Sequence, residues 1–325
     1  MSHISLQKIA ELAGVSKSTV SCALNYCGGV DPQTASAIRQ LAKELGYTPI
    51  PGIAPFCCAI LPEKPHYYWH TAVNSLSECL RKRRIPSRMA LYPSLNDLDD
   101  FFSALDTLLA LSPRVLVLSV PLHQKVKKHL KIIAEKTPIF LLSERMEGKN
   151  IFYFSSDERQ DGVALAEAFR TAYPFRRRML ILDSACNKER DDSFVSACGG
   201  IEIVRRIKLP EWHYSHSAIL ARRIAAEATG PFDCVYCGTG VLPSVCLALD
   251  KLGVPRDVVC IGYENPPSNS KFWENGRLGL TLCQDIAGQS ELCAKAIVDL
   301  YEHSCLPQQN NNFVDSRFVY NPNNF

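Results

Sequence analysis

No stretch of this 325-residue chain approaches the roughly 20 consecutive apolar residues that a bilayer-spanning helix needs. The opening "MSHISLQKIAELAG" has no apolar signal-peptide core, because Lys8 and Glu11 interrupt it, so a cytoplasmic location is expected. Net charge is also scarce. The 36 Lys and Arg stand against 33 Asp and Glu, and the resulting +3 neither demands nor excludes a nucleic-acid partner. Low-complexity sequence is confined to "QQNNN" (308–312), which reads as a loop. A nucleophile elbow, a P-loop and paired carboxylates at catalytic spacing are all missing. "GTGVLP" (238–243) lacks the third glycine of a dinucleotide fingerprint. Neither an enzyme nor a cofactor is expected from these absences.

Cysteine is not scarce: there are 14, scattered and mostly within apolar segments. In a reducing compartment they read as buried small hydrophobes rather than disulfides. "CVYC" (234–237) matches a C-x-x-C spacing, but on a strand positions i and i+3 point to opposite faces, and no second pair stands at zinc-finger spacing. His66 and His70 of "HYYWH" would share a helical face without a third ligand. No metal site is expected. "RKRR" (81–84) and "RRR" (176–178) read as solvated helix-end and loop charge.

With 46% hydrophobic and 21% charged residues, the chain is ordinary globular material, long enough for two or three domains. Residues 1–48 hold a compact helical unit. Leu6, Ile9, Ala10 and Ala13 fall at helical spacing behind Ser5 as N-cap, and Gly14 permits the left-handed turn that ends the helix. Ser16 caps a second helix with Val20, Ala23 and Leu24 inward. Asp31 caps a third, with Pro32 at its first position and Ala35, Ile38, Leu41, Ala42 and Leu45 buried, and Gly46 ends it. "TPIPGIAP" follows, and residues 49–55 form a proline-rich linker that spans at most about 28 Å when extended.

From 56 to 325 the pattern alternates. Strand candidates include "FCCAIL" (56–61), "RVLVLSV" (114–120), "IFLLS" (139–143), "MLILD" (179–183), "CVYCG" (234–238) and "VVCIGY" (258–263). Amphipathic helices are expected near 70–83, 99–111, 122–136, 161–172, 215–228 and 241–252. Strands that are apolar on both faces and separated by helices imply parallel sheets covered on both sides, here in two α/β lobes.

Two short helices joined by a glycine-containing turn, the second polar on its outer face, suit a helix-turn-helix. A recognition helix enters the major groove, so Lys17 and Ser18 at its first turn would reach base edges, while Ser16, Thr19, Ser21, Asn25 and, from the third helix, Thr34 would bind phosphates. Ser5, at the N-terminus of the first helix, joins that set. An ordinary helical hairpin with a solvated Ser/Thr face is the alternative from spacing alone.

The literal residues go further. "SLQKIAELAGVSKSTVSCALN" with "VDPQTASAIRQLAKELGYTP" closely resembles the headpiece of the lactose-repressor (LacI/GalR) family of bacterial transcription regulators. "SSDERQDG" (155–162), "RDDSF" (190–194), "VPRDVVCIGYEN" (254–265), "LTLCQD" (280–285) and "FVDSRFVY" (313–320) look like that family's later landmarks. The resemblance implies an all-α three-helix headpiece joined to a periplasmic-binding-protein-like domain of two lobes with parallel sheets. It also implies a homodimer on a pseudo-palindromic DNA operator and a small-molecule effector, a carbohydrate, in the cleft between lobes. Cys22 stands where the family places a base-reading Arg, so either the operator differs or specificity falls on Lys17 and Ser18. The linker is shorter than the family's hinge helix, which implies that minor-groove wedging is absent or replaced. Residues 1–50 carry Lys8, Lys17, Arg39 and Lys43 against Glu11, Asp31 and Glu44, a net of +1, so counterion release should be modest.

For the effector, the resemblance places Arg190 against ligand hydroxyls and puts Asp157, Glu264 and Gln284 at other pocket positions. Glu264 replaces the usual Asp. Trp212, Tyr68 and Trp69 are aromatic candidates for stacking on a sugar ring. The family's Asn–Asp pair after the strand at 234–237 appears here as Gly238 and Thr239. The expected function is a sugar-modulated repressor. The alternatives are a sugar receptor of the same fold that has lost specific DNA binding or effector response, and an α/β enzyme with an appended helical module.

Overall fold

The computed structural model describes residues 4–24, 30–47, 56–63, 67–92, 98–119, 123–142, 145–184, 188–209 and 217–320. The expected linker, Asn25, His66 and Trp212 lie outside them. The chain divides into two compact units: residues 1–155 with 286–312, and residues 156–285 with 313–325.

The first unit opens with α1 (Leu6–Ala13), α2 (Lys17–Leu24) and α3 (Pro32–Glu44). Ser5 starts α1 as expected, its Oγ accepting the Lys8 N–H at 3.2 Å, and Gly14 ends it at φ 65°. Ile9, Ala10, Val20, Ala23, Ala35, Ile38 and Ala42 close one small core. Leu24, Leu41 and Leu45, expected fully inside, pack partly buried around it.

The chain then alternates through β1 (Cys57–Pro62), α4 (Tyr67–Lys82), β2 (Ser87–Tyr92), α5 (Leu98–Leu109), β3 (Val115–Leu118), α6 (Gln124–Ala134), β4 (Ile139–Leu142) and β5 (Ile151–Ser155). The second unit continues with α7 (Glu158–Ala172), β6 (Arg178–Ser184), α8 (Lys188–Ala197), β7 (Glu202–Leu209), α9 (Ser217–Glu227), β8 (Cys234–Cys237), α10 (Leu242–Lys251), β9 (Val259–Tyr263), α11 (Ser270–Glu274) and β10 (Leu278–Cys283). The chain returns to the first unit as α12 (Ile286–His303) and β11 (Asn311–Phe313) and ends in the second with β12 (Arg317–Tyr320). "QQNNN" is therefore not wholly a loop, since Asn311 and Asn312 begin an edge strand.

Each unit holds a six-stranded sheet, ordered β11-β5-β4-β3-β1-β2 in the first and β12-β10-β9-β8-β6-β7 in the second. The pairs among β1–β5 and among β6–β10 are parallel, and β12 runs antiparallel to β10. In both sheets the strand order reverses beside the first strand, at β1/β3 and β6/β8. Open α/β sheets bind ligands at the carboxyl ends of strands near such a point.

The second sheet shows why the strands are apolar on both faces. Leu180, Leu182, Val235, Cys237 and Cys260 pack on one side with Leu220 and Ile224 of α9 and Val245 and Leu249 of α10. Met179, Ile181, Cys234, Tyr236, Val259 and Ile261 pack on the other with Leu165 and Phe169 of α7 and Phe194 of α8. Cys234 and Cys237 thus face opposite cores, as the strand period requires. Burial pushes the Cys234 thiol well up and holds the Cys237 thiol at about 11, so both stay protonated packing groups.

Candidate functional site

The headpiece presents one helix end outward. Val20 and Ala23 fix α2 by their inner face. The α2 helical period then leaves Lys17 and Ser18 exposed at its first turn, with Thr19, Ser21 and Cys22 half-buried. Ser5 and Ser16 are exposed and Thr34 half-buried. Several of these hydroxyls are engaged locally. Ser16 Oγ accepts the Thr19 N–H at 3.0 Å and lies 2.7 Å from both Ser18 Oγ and Thr19 Oγ1. Thr34 donates its N–H and hydroxyl to Asp31 Oδ2 at 2.9 and 3.0 Å, which holds the Asp31 carboxyl below its usual range. Arg39 Nη1 reaches back to the Ala23 carbonyl at 3.3 Å and ties α3 to the last turn of α2. The result is a rigid helix N-terminus carrying Lys17, which has no ion-pair partner among the described residues. A helix N-terminus with outward N–H groups favours an anionic backbone.

A second site lies in the second unit, where the carboxyl ends of β8, β9 and β10 meet the first turns of α7 and α8. Arg190, in the first turn of α8, is 3% exposed; its Nη2 donates to the Gly238 carbonyl just past β8 at 2.8 Å. Its guanidinium lies 3.9 Å from the centroid of the Tyr263 ring at the end of β9. Glu264 follows Tyr263, 4% exposed, with a left-handed backbone at φ 66° that a non-glycine residue rarely adopts. Its Oε1 accepts Gln284 Nε2 at 3.2 Å, and Ser156 Oγ in turn donates to Gln284 Oε1 at 3.4 Å. Arg190 Nε and Glu264 Oε2 are buried without a hydrogen-bond partner.

Burial pushes the Glu264 carboxyl up to about 7, against the opposing pull of Arg190 and Gln284. Asp161 is raised by burial too, although Ser156 and Ser316 oppose it, the latter donating to Oδ2 at 2.9 Å. Glu158 is raised by the same cause. Asp157 is the N-cap of α7, its Oδ1 accepting the Arg159 and Gln160 N–H groups at 3.1 Å.

The structure therefore gathers Arg190, Glu264 and Gln284 into one cluster, with Asp157 at its edge as a helix cap. Tyr68 and Trp69 belong to α4 of the first unit, 8% and 6% exposed and packed edge to face at 4.7 Å. The Tyr68 hydroxyl donates to Gln289 Oε1 on α12 at 3.2 Å.

Sequence reasoning missed Asp191. It is fully buried beside Arg190 and accepts the Tyr236 hydroxyl at 2.6 Å. A Cβ at Gly238 would overlap the Asp191 carboxylate, which explains why glycine stands there. The available signal was the second charge in "RDDSF" paired with the glycine after β8.

Residues 5–49 match the profile of bacterial regulatory proteins of the lacI family, and residues 58–303 match the periplasmic binding protein domain. A sucrose operon repressor of Vibrio alginolyticus is 51% identical over 45 residues, which is 14% of this chain and 48% of that protein; the chain thus spans about half the length of this curated relative. Among solved structures, a glucose-galactose binding protein (GanP) from Geobacillus stearothermophilus superimposes with TM-score 0.72 at 14% identity, covering 83% of this chain and 98% of that one. The lac repressor dimer bound to operator and the anti-inducer ONPF gives TM-score 0.68 at 14% identity, covering 98% of each chain.

Proposed function

The chain belongs to the bacterial regulators that join a lacI-family headpiece to a periplasmic binding protein domain, and from this we propose that it is a sequence-specific DNA-binding repressor whose operator affinity is modulated by a small molecule of the sugar class. It acts by binding, without turnover, as a cytoplasmic homodimer on a pseudo-palindromic operator. One observation carries this reading: Lys17 and Ser18 project from the first turn of a short helix whose Val20 and Ala23 are buried. That geometry lets the N-terminal residues of α2 reach base edges in a major groove while Ser5, Ser16, Thr19, Ser21 and Thr34 face phosphates, and the proposal adds Asn25, which lies outside the described residues, to the phosphate set. Cys22 offers only a weak donor, so base reading rests on Lys17 and Ser18. The headpiece likeness to a sucrose operon repressor supports a sugar-responsive system.

Tyr68, Trp69, Asp157, Arg190, Trp212, Glu264 and Gln284 are the proposed ligand residues. A ligand that favours one conformation of the domain shifts operator affinity by its differential binding, about 1–3 kcal/mol for a typical coupling. The test is enrichment of randomised duplex DNA on the full chain, followed by titration of the selected site with wild type and Lys17→Ala. Wild type should prefer the selected site over scrambled duplex, and the variant should lose about tenfold on the selected site, the scale of one good base contact. Equal, weak binding by both proteins would remove the regulator reading.

A further inference from the structure

The charge balance of the second-unit cluster is uneven. The guanidinium of Arg190 stands among the carboxyl groups of Glu158, Asp161, Asp191 and Glu264. Arg190 is the buried cation of this cluster; nearby, Lys188 pairs with Asp192, Arg206 pairs with Asp183 and Asp192, and Arg159 in the first turn of α7 is exposed. The neutral groups present engage only part of the acidic surface. Tyr236 donates to Asp191, Ser316 to Asp161, and Gln284 to Glu264 Oε1, but Glu264 Oε2 remains buried and unpartnered. A buried carboxylate oxygen without a donor is expensive, and persists where a ligand supplies that donor. The backbone agrees: Glu264 is held in the left-handed region, a conformation that surrounding structure must impose and that concentrates at binding sites.

The position after β8 points the same way. A polar side chain there would meet a ligand as a neutral hydrogen-bonding group. Glycine at 238 instead admits the Asp191 carboxylate against its Cα, so a charge occupies the space an amide would fill. A sugar hydroxyl could donate to Glu264 Oε2 and accept from Arg190 Nε, but it would not supply the positive charge that lets the buried Glu264 ionise. An ammonium beside a hydroxyl does both.

We propose that this site selects a cationic polyol, a sugar bearing an ammonium group, over the corresponding neutral sugar, with Glu264 Oε2 receiving the ammonium and Arg190 Nε a neighbouring hydroxyl. The inference rests on the reading of this cluster as the ligand site.

Binding of an ammonium favours the ionised Glu264. Groups that face it are Arg190 from α8, Asp161 from α7, the Cys283 thiol at the end of β10 and Gln284 just after it. Since the free Glu264 is held up to about 7, binding of the amine at about pH 6, where the ligand is already an ammonium, releases a proton, and neutral sugar binding does not.

The experiment is calorimetry on the full chain with D-glucosamine, D-galactosamine and D-mannosamine against D-glucose, D-galactose, D-mannose and the N-acetylated amines. At least one amine should bind tenfold or more tightly than both its neutral counterparts. Its heat should change between buffers of different ionisation enthalpy, reporting proton release. Glu264→Gln should reduce the amine-to-neutral ratio at least tenfold while keeping a cooperative melting transition; should it misfold, the wild-type buffer dependence still decides. Equal or tighter binding of the neutral sugars, or no saturable heat with any amine, overturns the inference. Selective operator binding that survives such a result leaves the regulator reading intact. Amine selectivity without operator binding removes the regulator reading alone.

Discussion

The two sheets repeat one strand order, yet they bury different chemistry. Among the described residues, the buried polar side chains of the first unit are neutral: Ser119, Ser155, Gln289 and Ser290. The second unit buries Asp161, Asp183, Arg190, Asp191, Glu264 and Arg277. The fold does not dictate that difference, because the same topology is built without a buried charge next door in the chain. Function resides in what is placed on the scaffold. The second unit also holds two kinds of buried charge. Arg277 closes on the carbonyls of Pro255, Val258 and Val254 at 2.7, 3.0 and 2.7 Å and on Asp250 Oδ1 at 3.2 Å, tying α10 and the turn after it to β10. Arg277 Nε, like Arg190 Nε and Glu264 Oε2, is buried without a hydrogen-bond partner, but the two Nη atoms of Arg277 close four contacts where Arg190 Nη2 closes on the Gly238 carbonyl.

Removing Arg277 is the severest way to probe that contrast. Arg277→Ala removes the side-chain donor from the Val254 and Val258 carbonyls and one of two donors from the Pro255 carbonyl and the Asp250 carboxylate, and should lower unfolding stability by about 3–5 kcal/mol in a denaturant titration. If the loss is under 1 kcal/mol, the structural class of buried charge does not hold. Gly238→Asn comes next. It restores an amide where relatives of this fold are expected to carry one, but its Cβ overlaps the Asp191 carboxylate. The expected loss is about 1–3 kcal/mol, the range for forcing extra atoms into a packed interior. The double change Gly238→Asn with Asp191→Ala should recover part of it, because the Cγ and both oxygens that meet the new Cβ are gone; no recovery would mean that glycine is required for another reason.

How far these features could be read without coordinates depends on their range along the chain. Local signals carried well. Ser5 and Ser16 cap α1 and α2, Asp31 caps α3, and Gly14 takes φ 65°. Six of the interior strands declared themselves because both faces are apolar, as in "CVYC", whereas β5 and β10, equally interior, did not. Edge strands did not: β2 and β7 carry exposed residues such as Arg88 and Arg205, since one side meets water, and their pattern blends into loops. In the ligand cluster, Arg190, Glu264 and Gln284 were identifiable only through family landmarks. Asp191 was not, because its partner Tyr236 is 45 positions away. Tyr68 and Trp69, named for their aromatic faces, are buried in the packing around α4, which residue type alone does not tell.

A gentler probe is pH. Glu264 has a folded-state value of about 7 against an ordinary 4.5, raised mainly by burial. The folded protein therefore binds more protons than the unfolded chain between those values, and this group's contribution to stability falls as pH rises from 4.5 to 7 and is constant above. Glu264→Gln removes that slope. The melting temperature of the variant relative to wild type should rise across the window by a few degrees, about 2–4 °C for each kcal/mol in a domain of this size. Asp161 and Glu158 are raised in the same direction, but they remain in both proteins, so the difference isolates Glu264. A flat difference would mean that Glu264 is not buried in solution.

The smallest effect is expected in the first unit, and it tests the other half of the comparison. On α4, Lys82 Nζ lies 2.8 Å from Glu78 Oε1, and the pair holds the Glu78 carboxyl down and the Lys82 ammonium up. Glu78 and Lys82 are 56% and 63% exposed. Water screens both charges, and fixing two long side chains has an entropic cost that offsets most of the attraction. Glu78→Gln should leave the denaturation midpoint of the protein unchanged within error, at low salt and at high salt alike. The slight preference for an acidic residue ahead of a basic one at this helical spacing is too small to register in a chain this long. A clear loss of stability would show that surface charge supports the first unit as buried charge supports the second, and would erase the distinction between the two sheets.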